Sequence, residues 1–155
     1  MKNAIQLSMF GVAEVQLIYR SKVPASQRRS IKCSRDAFDL FLQSWDLNTL
    51  EYVEEFKILL MNRSNAVLGI LAVSKGGLSG TVTDVRLIFQ AAIKANASGI
   101  IVAHNHPSGN LNPSESDTKI TQKIKEAGNL IDIQLLDHLI ITEEDYYSFA
   151  DNGLL

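Results

Sequence analysis

A chain of 155 residues, 46% hydrophobic and 21% charged, has the size and make-up of one globular domain with one core. A formal net charge of -2 at pH 7 excludes a domain that binds nucleic acid through bulk positive charge. One cysteine, Cys33, excludes an internal disulfide and fits a reducing cytoplasm, and no run approaches the ~20 apolar residues of a membrane span.

Met1 to Gly11 has no clear period and no basic start followed by an apolar core, so it reads as a flexible arm without a signal peptide. Residues 12–155 then form a single domain. Glu14 to Arg20 alternates polar and apolar residues and predicts a strand. Lys22 to Lys32, with Pro24, Ser26, Arg28 and Arg29, predicts a loop, and with Arg35 it makes a local basic cluster. No aromatics are interleaved for base stacking, so the cluster reads as a solvated loop. Ser34 is a good N-cap for a helix through about Trp45, with Ala37, Phe38, Phe41, Leu42 and Trp45 on its core face.

Val53 to Asn62 and Val67 to Val73 predict a hairpin turning at Arg63-Ser64-Asn65. Glu54 alternates with Phe56, Ile58 and Leu60, which aims a carboxylate at the core face, a costly placement unless it has a partner or a task. Ser74 to Gly77 is a turn, and Leu78 to Val82 a short strand. Asp84 caps a helix through about Ala97, whose apolar face carries Leu87, Ile88, Ala91, Ala92 and Ala95. Arg86 in its first turn opposes the helix dipole and is expected in an ion pair. Gly99 to His104 predicts a buried strand, Pro113 to Ala127 a helix stopped by Gly128, and Ile131–Leu136 and His138–Thr142 two more strands. Tyr146, Tyr147 and Phe149 suggest a short C-terminal helix. This alternation supports a layered α/β architecture.

The chemistry concentrates in residues 104–117, His-Asn-His-Pro-Ser-Gly-Asn-Leu-Asn-Pro-Ser-Glu-Ser-Asp. His104 and His106 are two apart, so on an extended chain both imidazoles face one side. Asn112-Pro113-Ser114-Glu115 has the pattern of a capping box with proline at the first helical position. Ser114 and Asp117 are three apart and share a helix face. Two imidazoles from a strand end and one carboxylate from a helix start can converge on a point. Two histidines and an aspartate, with no nearby cysteine to close a fourth position, suit a catalytic zinc site. His138, the third histidine, reads as a buried core residue, with support of the metal ligands as the alternative.

His104, His106, Pro107, Ser114 and Asp117 match the JAMM motif of the MPN-type zinc metalloproteases. The wider context, HNHPSG, PS-x-x-D and the later LDHLII, resembles the bacterial RadC family from about Glu54 to the C-terminus. RadC proteins often carry an N-terminal helical domain of helix-hairpin-helix character, and this chain resembles a short form without it. The resemblance implies a mixed, mostly antiparallel sheet flanked by helices, in the layered manner of cytidine deaminases. It implies Zn2+ on His104, His106 and Asp117, with Glu54 as the catalytic carboxylate, Glu55 next in line and Glu51 after it. It also implies that Ser114 stabilises the oxyanion, and that the product is an amide or isopeptide hydrolase acting on a peptide or protein.

An HNH nuclease needs its residues spread along a ββα-metal unit, which is not evident here. A zinc deaminase needs H-x-E with P-C-x-x-C, and neither is present. The alternative of another class is a DNA-repair-associated or protein-interaction module in which the metal only holds the loop. The sequence leaves the substrate and the oligomeric state open.

Overall fold

The computed structural model describes residue 11 and residues 18–76 and 83–155. The arm expected over 1–11, most of the strand expected over 14–20 and the strand expected over 78–82 lie outside the described residues, and 18–20 take no regular structure.

Among the described residues five strands form one sheet: β1 (Glu55–Met61), β2 (Val67–Lys75), β3 (Gly99–Asn105), β4 (Gln134–Ile141) and β5 (Tyr146–Ser148). Their order is β2-β1-β3-β4-β5, and only the β3–β4 pair is parallel. The described residues also form four α-helices: α1 (Ser34–Ser44), α2 (Leu47–Leu50), α3 (Val85–Lys94) and α4 (Glu115–Leu130). A parallel pair needs a long crossover, and α4 supplies it between β3 and β4. The chain is therefore an α/β domain, as its alternation of elements predicts, with the mixed, mostly antiparallel sheet that the family resemblance implies.

β1 and β3 lie at the centre of the sheet, and every residue of both is buried. Their near-continuous apolar runs follow from burial on two faces rather than one. Phe56, Ile58, Leu60, Ile100 and Val102 pack with Val85, Ile88, Phe89 and Ala92 of α3 and Ile124 of α4. On the opposite face Leu59, Met61, Ile101, Ala103, Leu139 and Ile141 pack with Phe38 and Phe41 of α1, with Trp45 just after it and with Leu50 of α2. The sheet is thus a middle layer with its own core on each side. No helix among the described residues is long and apolar enough to cross a membrane.

Several local expectations change. The capping box starts two residues later than Asn112: Ser114 is the N-cap of α4, and Asp117 takes the place expected of Glu115. Pro113 precedes the helix. Gly128 does not stop α4, which runs on to Leu130. A Cβ at Gly128 would lie 2.2 Å from the Ile133 carbonyl oxygen, so the glycine serves a close approach rather than a helix end. Tyr146–Ser148 pairs with β4 instead of forming a helix, in keeping with the strand preference of tyrosine. On α3, Val85 and Phe89 join the core while Leu87 is exposed. Arg86 grips Asp84, the N-cap of α3, at 2.7 Å, which neutralises its charge against the helix dipole and holds the Asp84 carboxyl down to about 2.

Candidate metal centre

His104 is the last residue but one of the buried strand β3, and His106 lies one residue beyond that strand. The His106 amide donates to the Ile141 carbonyl (3.1 Å), so the β3–β4 ladder holds this position extended. Both imidazoles therefore project to the same face. The chain then turns at Gly109, whose positive φ of 75° suits glycine, and enters α4 at Ser114. There the Ser114 amide donates to Asp117 Oδ2 (2.7 Å) and the Asp117 amide donates to Ser114 Oγ (3.1 Å). This reciprocal cap fixes the Asp117 carboxylate at the helix N-terminus, where the helix dipole favours a negative charge.

The convergence is close. His104 Nε2 lies 2.9 Å from His106 Nε2 and 3.1 Å from Asp117 Oδ1, and His106 Nε2 lies 3.6 Å from Asp117 Oδ2. One ligand atom from each of the three residues lies within 4.8 Å of the other two. His106 Nδ1 donates to the Asn110 carbonyl, which leaves Nε2 with its lone pair. Two imidazole nitrogens and a carboxylate so close together need a cation between them, either protons or a metal. Without a metal, the hydrogen bond to Asp117 raises the His106 pKa above 6.5 against the opposing effect of burial. Burial pushes the Asp117 carboxyl up, but its hydrogen bonds to His104, His106 and Ser114 outweigh this and hold it far below the usual carboxylate range. A set of two nitrogens and one carboxylate fits a divalent metal and leaves a position for water.

Antiparallel pairing sets Phe56 against His104. Glu54 lies one residue ahead of β1, and its half-buried carboxylate is near enough to help raise the His106 pKa. Glu55 points to the other face, where it is buried and bonded to Lys75 (2.6 Å) and Lys57 (3.6 Å). Lys57 in turn sits 4.2 Å over the Trp45 ring. Glu51 is exposed at the end of α2. Of these three carboxylates, Glu54 is the one whose charge acts on His106.

Asn105, between the histidines, also points to the Glu55 face and is fully buried. Its Oδ1 accepts the Glu55 amide (2.7 Å), and its Nδ2 donates to the carbonyls of Leu50 (2.6 Å) and Val53 (2.9 Å). One side chain thus ties β3 to the segment that carries Glu54. Periodicity shows only that Asn105 faces away from the histidines; its partners are some fifty residues distant.

Ser114 is exposed, and accepting the Asp117 amide leaves its hydroxyl proton free to donate. His138 is fully buried, as the core reading expects, yet it also touches a candidate ligand: its Nε2 is 2.8 Å from His104 Nδ1. Burial keeps His138 well below the ordinary imidazole pKa, so it is neutral. Its Nδ1 lies 2.6 Å from Thr121 Oγ1, and Thr121 donates to the Asp117 carbonyl (2.6 Å). Thr121 drew no notice in the sequence, although it lies four residues after Asp117 on the same helix face.

Residues 31–154 match the RadC-like JAB domain family. The chain belongs to this family. It is 48% identical over 126 residues to a UPF0758 protein of Flavobacterium johnsoniae, covering 81% of this chain and 54% of that protein. It is 48% identical over 103 residues to a UPF0758 protein of Porphyromonas gingivalis, covering 66% of this chain and 45% of the relative. A UPF0758 protein of Chlorobium chlorochromatii aligns over 144 residues at 38% identity, covering 93% of this chain and 64% of the relative. The RadC-like JAB domain here spans about half the length of the first two of these relatives. The His104, His106 and Asp117 group is in line with a JAB domain that holds a metal.

Proposed function

We propose that this chain is a zinc-dependent metallohydrolase that cleaves an amide bond, as a peptidase or isopeptidase acting on a peptide or protein in a reducing compartment. The observation that carries the reading is the pairing of two features. Among the described residues His104, His106 and Asp117 form a three-ligand set, and the Glu54 carboxylate acts on His106 without belonging to that set. A structural site would close with a fourth protein ligand, and a catalytic one keeps a place open.

The chemistry that a bound zinc supplies is Lewis acidity and a water acidified toward a pKa of about 7. Glu54 takes the proton of the attacking water and returns it to the leaving amine, as a base and then an acid. The Ser114 hydroxyl donates to the substrate carbonyl oxygen as negative charge builds there. Asn105 holds the Glu54 segment against β3 while the proton moves.

The test starts from protein purified without added metal. Wild type should carry about one zinc per chain, as the three-ligand set implies, and Asp117→Ala should carry far less. Glu54→Gln should keep the zinc and lose cleavage of peptide pools and unfolded proteins, read by mass spectrometry. Folded wild type that neither contains zinc nor takes it up would refute the hydrolase reading. Salt-sensitive DNA binding that survives metal removal would favour the interaction module instead.

A further inference from the structure

The buried chain of hydrogen bonds behind His104 has a polarity that can be worked out proton by proton. A carbonyl oxygen can only accept, so the Thr121 hydroxyl, 2.6 Å from the Asp117 carbonyl, donates to it. That uses the hydroxyl's one proton. The same oxygen lies 2.6 Å from His138 Nδ1, and it must therefore accept, which puts a proton on His138 Nδ1. His138 is fully buried against Phe149, and its ring bonds to Thr121 and His104 with no carboxylate to balance a charge, so the geometry gives it a single ring proton. Its Nε2 is then bare and accepts from His104 Nδ1 at 2.8 Å. His104, protonated on Nδ1, is left with a lone pair on Nε2, the atom that faces His106 Nε2 and Asp117 Oδ1.

The reverse polarity fails at one point. If His138 donated from Nε2 to His104, its Nδ1 would need a donor from Thr121. The Thr121 and Asp117 oxygens would then meet at 2.6 Å with no proton between them. The ring planes are also held: Phe149 stacks on His138 at 4.8 Å and 10°, and Phe56 lies parallel to His104 at 6.1 Å and 5°.

We infer that His138 and Thr121 are positioning residues that select the His104 tautomer able to bind a metal through Nε2. The inference rests on the metal reading above. The order starts at the backbone carbonyl of Asp117, so one residue of α4 supplies a ligand and also sets the tautomer of another. The partner that orients a ligand histidine is more often a carboxylate or a carbonyl. A neutral imidazole does the same work here without placing a second negative charge in the core.

The decisive measurement is the imidazole nitrogen spectrum of 15N-labelled wild type at pH 8, without and with added zinc. His138 should be protonated on Nδ1 and bare on Nε2 in both states, the minor tautomer of free histidine. With zinc, His104 should also carry its proton on Nδ1. Zinc affinity is read alongside by competition with a chromogenic chelator. His138→Phe removes the acceptor, and zinc binding should weaken about 10- to 100-fold while the fold survives. His138→Gln keeps an acceptor oxygen and should bind more tightly than His138→Phe. Thr121→Val should weaken zinc, and Thr121→Ser should restore it. A proton on His138 Nε2 in wild type overturns the inference, as does a folded His138→Phe with zinc affinity within about twofold of wild type. If His138→Phe does not fold, the spectrum and the Thr121 variants decide. If wild type takes no zinc, the metal reading fails while the His138 tautomer in the metal-free protein still tests the relay.

Discussion

Asp117 carries two duties that substitutions can separate. It caps α4 through Ser114, and it faces both histidines. Asp117→Asn keeps an oxygen for the Ser114 amide but loses the ligand charge. At pH 8 it should lose zinc while keeping a chemical-denaturation midpoint near that of metal-free wild type. Asp117→Ala loses the cap as well and should be less stable by about 0.5–2 kcal/mol, typical of a lost cap interaction. Equal stability of the two variants would show that the cap contributes nothing.

His106 gives a pH dependence of defined sign. In the metal-free protein its pKa is raised above 6.5, chiefly by the hydrogen bond to Asp117. Its contribution to metal-free stability is fully present below the unfolded value of about 6.5 and is lost as pH rises through the higher folded value. Zinc must displace the same proton, so zinc affinity should fall as pH drops through that folded value, by about tenfold per pH unit for one proton released. Competition titrations between pH 6 and 8.5 read this slope, and a flat profile would remove His106 from the ligand set.

Among the elements, the segment from α2 into β1 is held by one buried amide. Asn105→Leu would leave the Glu55 amide and the Leu50 and Val53 carbonyls without their partner. Each unsatisfied buried group costs about 1–3 kcal/mol, so a loss of about 3 kcal/mol or more is expected in urea unfolding. Zinc content should persist in the folded fraction, because Asn105 points away from the ligands. Activity should fall further than zinc content, because Glu54 loses its tether. At this scale the hairpin and the Asp84 start of α3 were legible in the sequence, whereas α4 starts two residues later than its pattern suggests, α1 is capped by Cys33 rather than Ser34, and the ends were not legible. Gly128 reads as a stop signal, but its lack of a Cβ serves the Ile133 carbonyl passing over it. Tyr146 and Tyr147 become a strand because the edge of β4 is there to pair with them.

For the whole molecule, zinc should act as a stabilising ligand that joins β3 to α4. A metal bound only to the folded state adds about 2.7 kcal/mol at a free concentration one hundred times its dissociation constant. The thermal midpoint of wild type should fall on chelation and recover with zinc, while that of Asp117→Ala should not respond. The same midpoint in both proteins, with and without chelator, would show that the metal does not couple to folding.

The sequence by itself determined the layered α/β class and the three residues that now lie together at the head of α4. It could do so because these signals are local. A spacing of two on a strand and of three at a helix start sets direction without knowledge of the rest of the chain. Only the tertiary structure set Glu55 in its ion pairs with Lys75 and Lys57 and brought the Glu54 charge near His106, because these partners are remote along the chain. Only the tertiary structure brought His138 and Thr121 behind His104. They come from β4 and α4, and hydrogen-bond direction is a property of groups already in contact, which no spacing along the chain records.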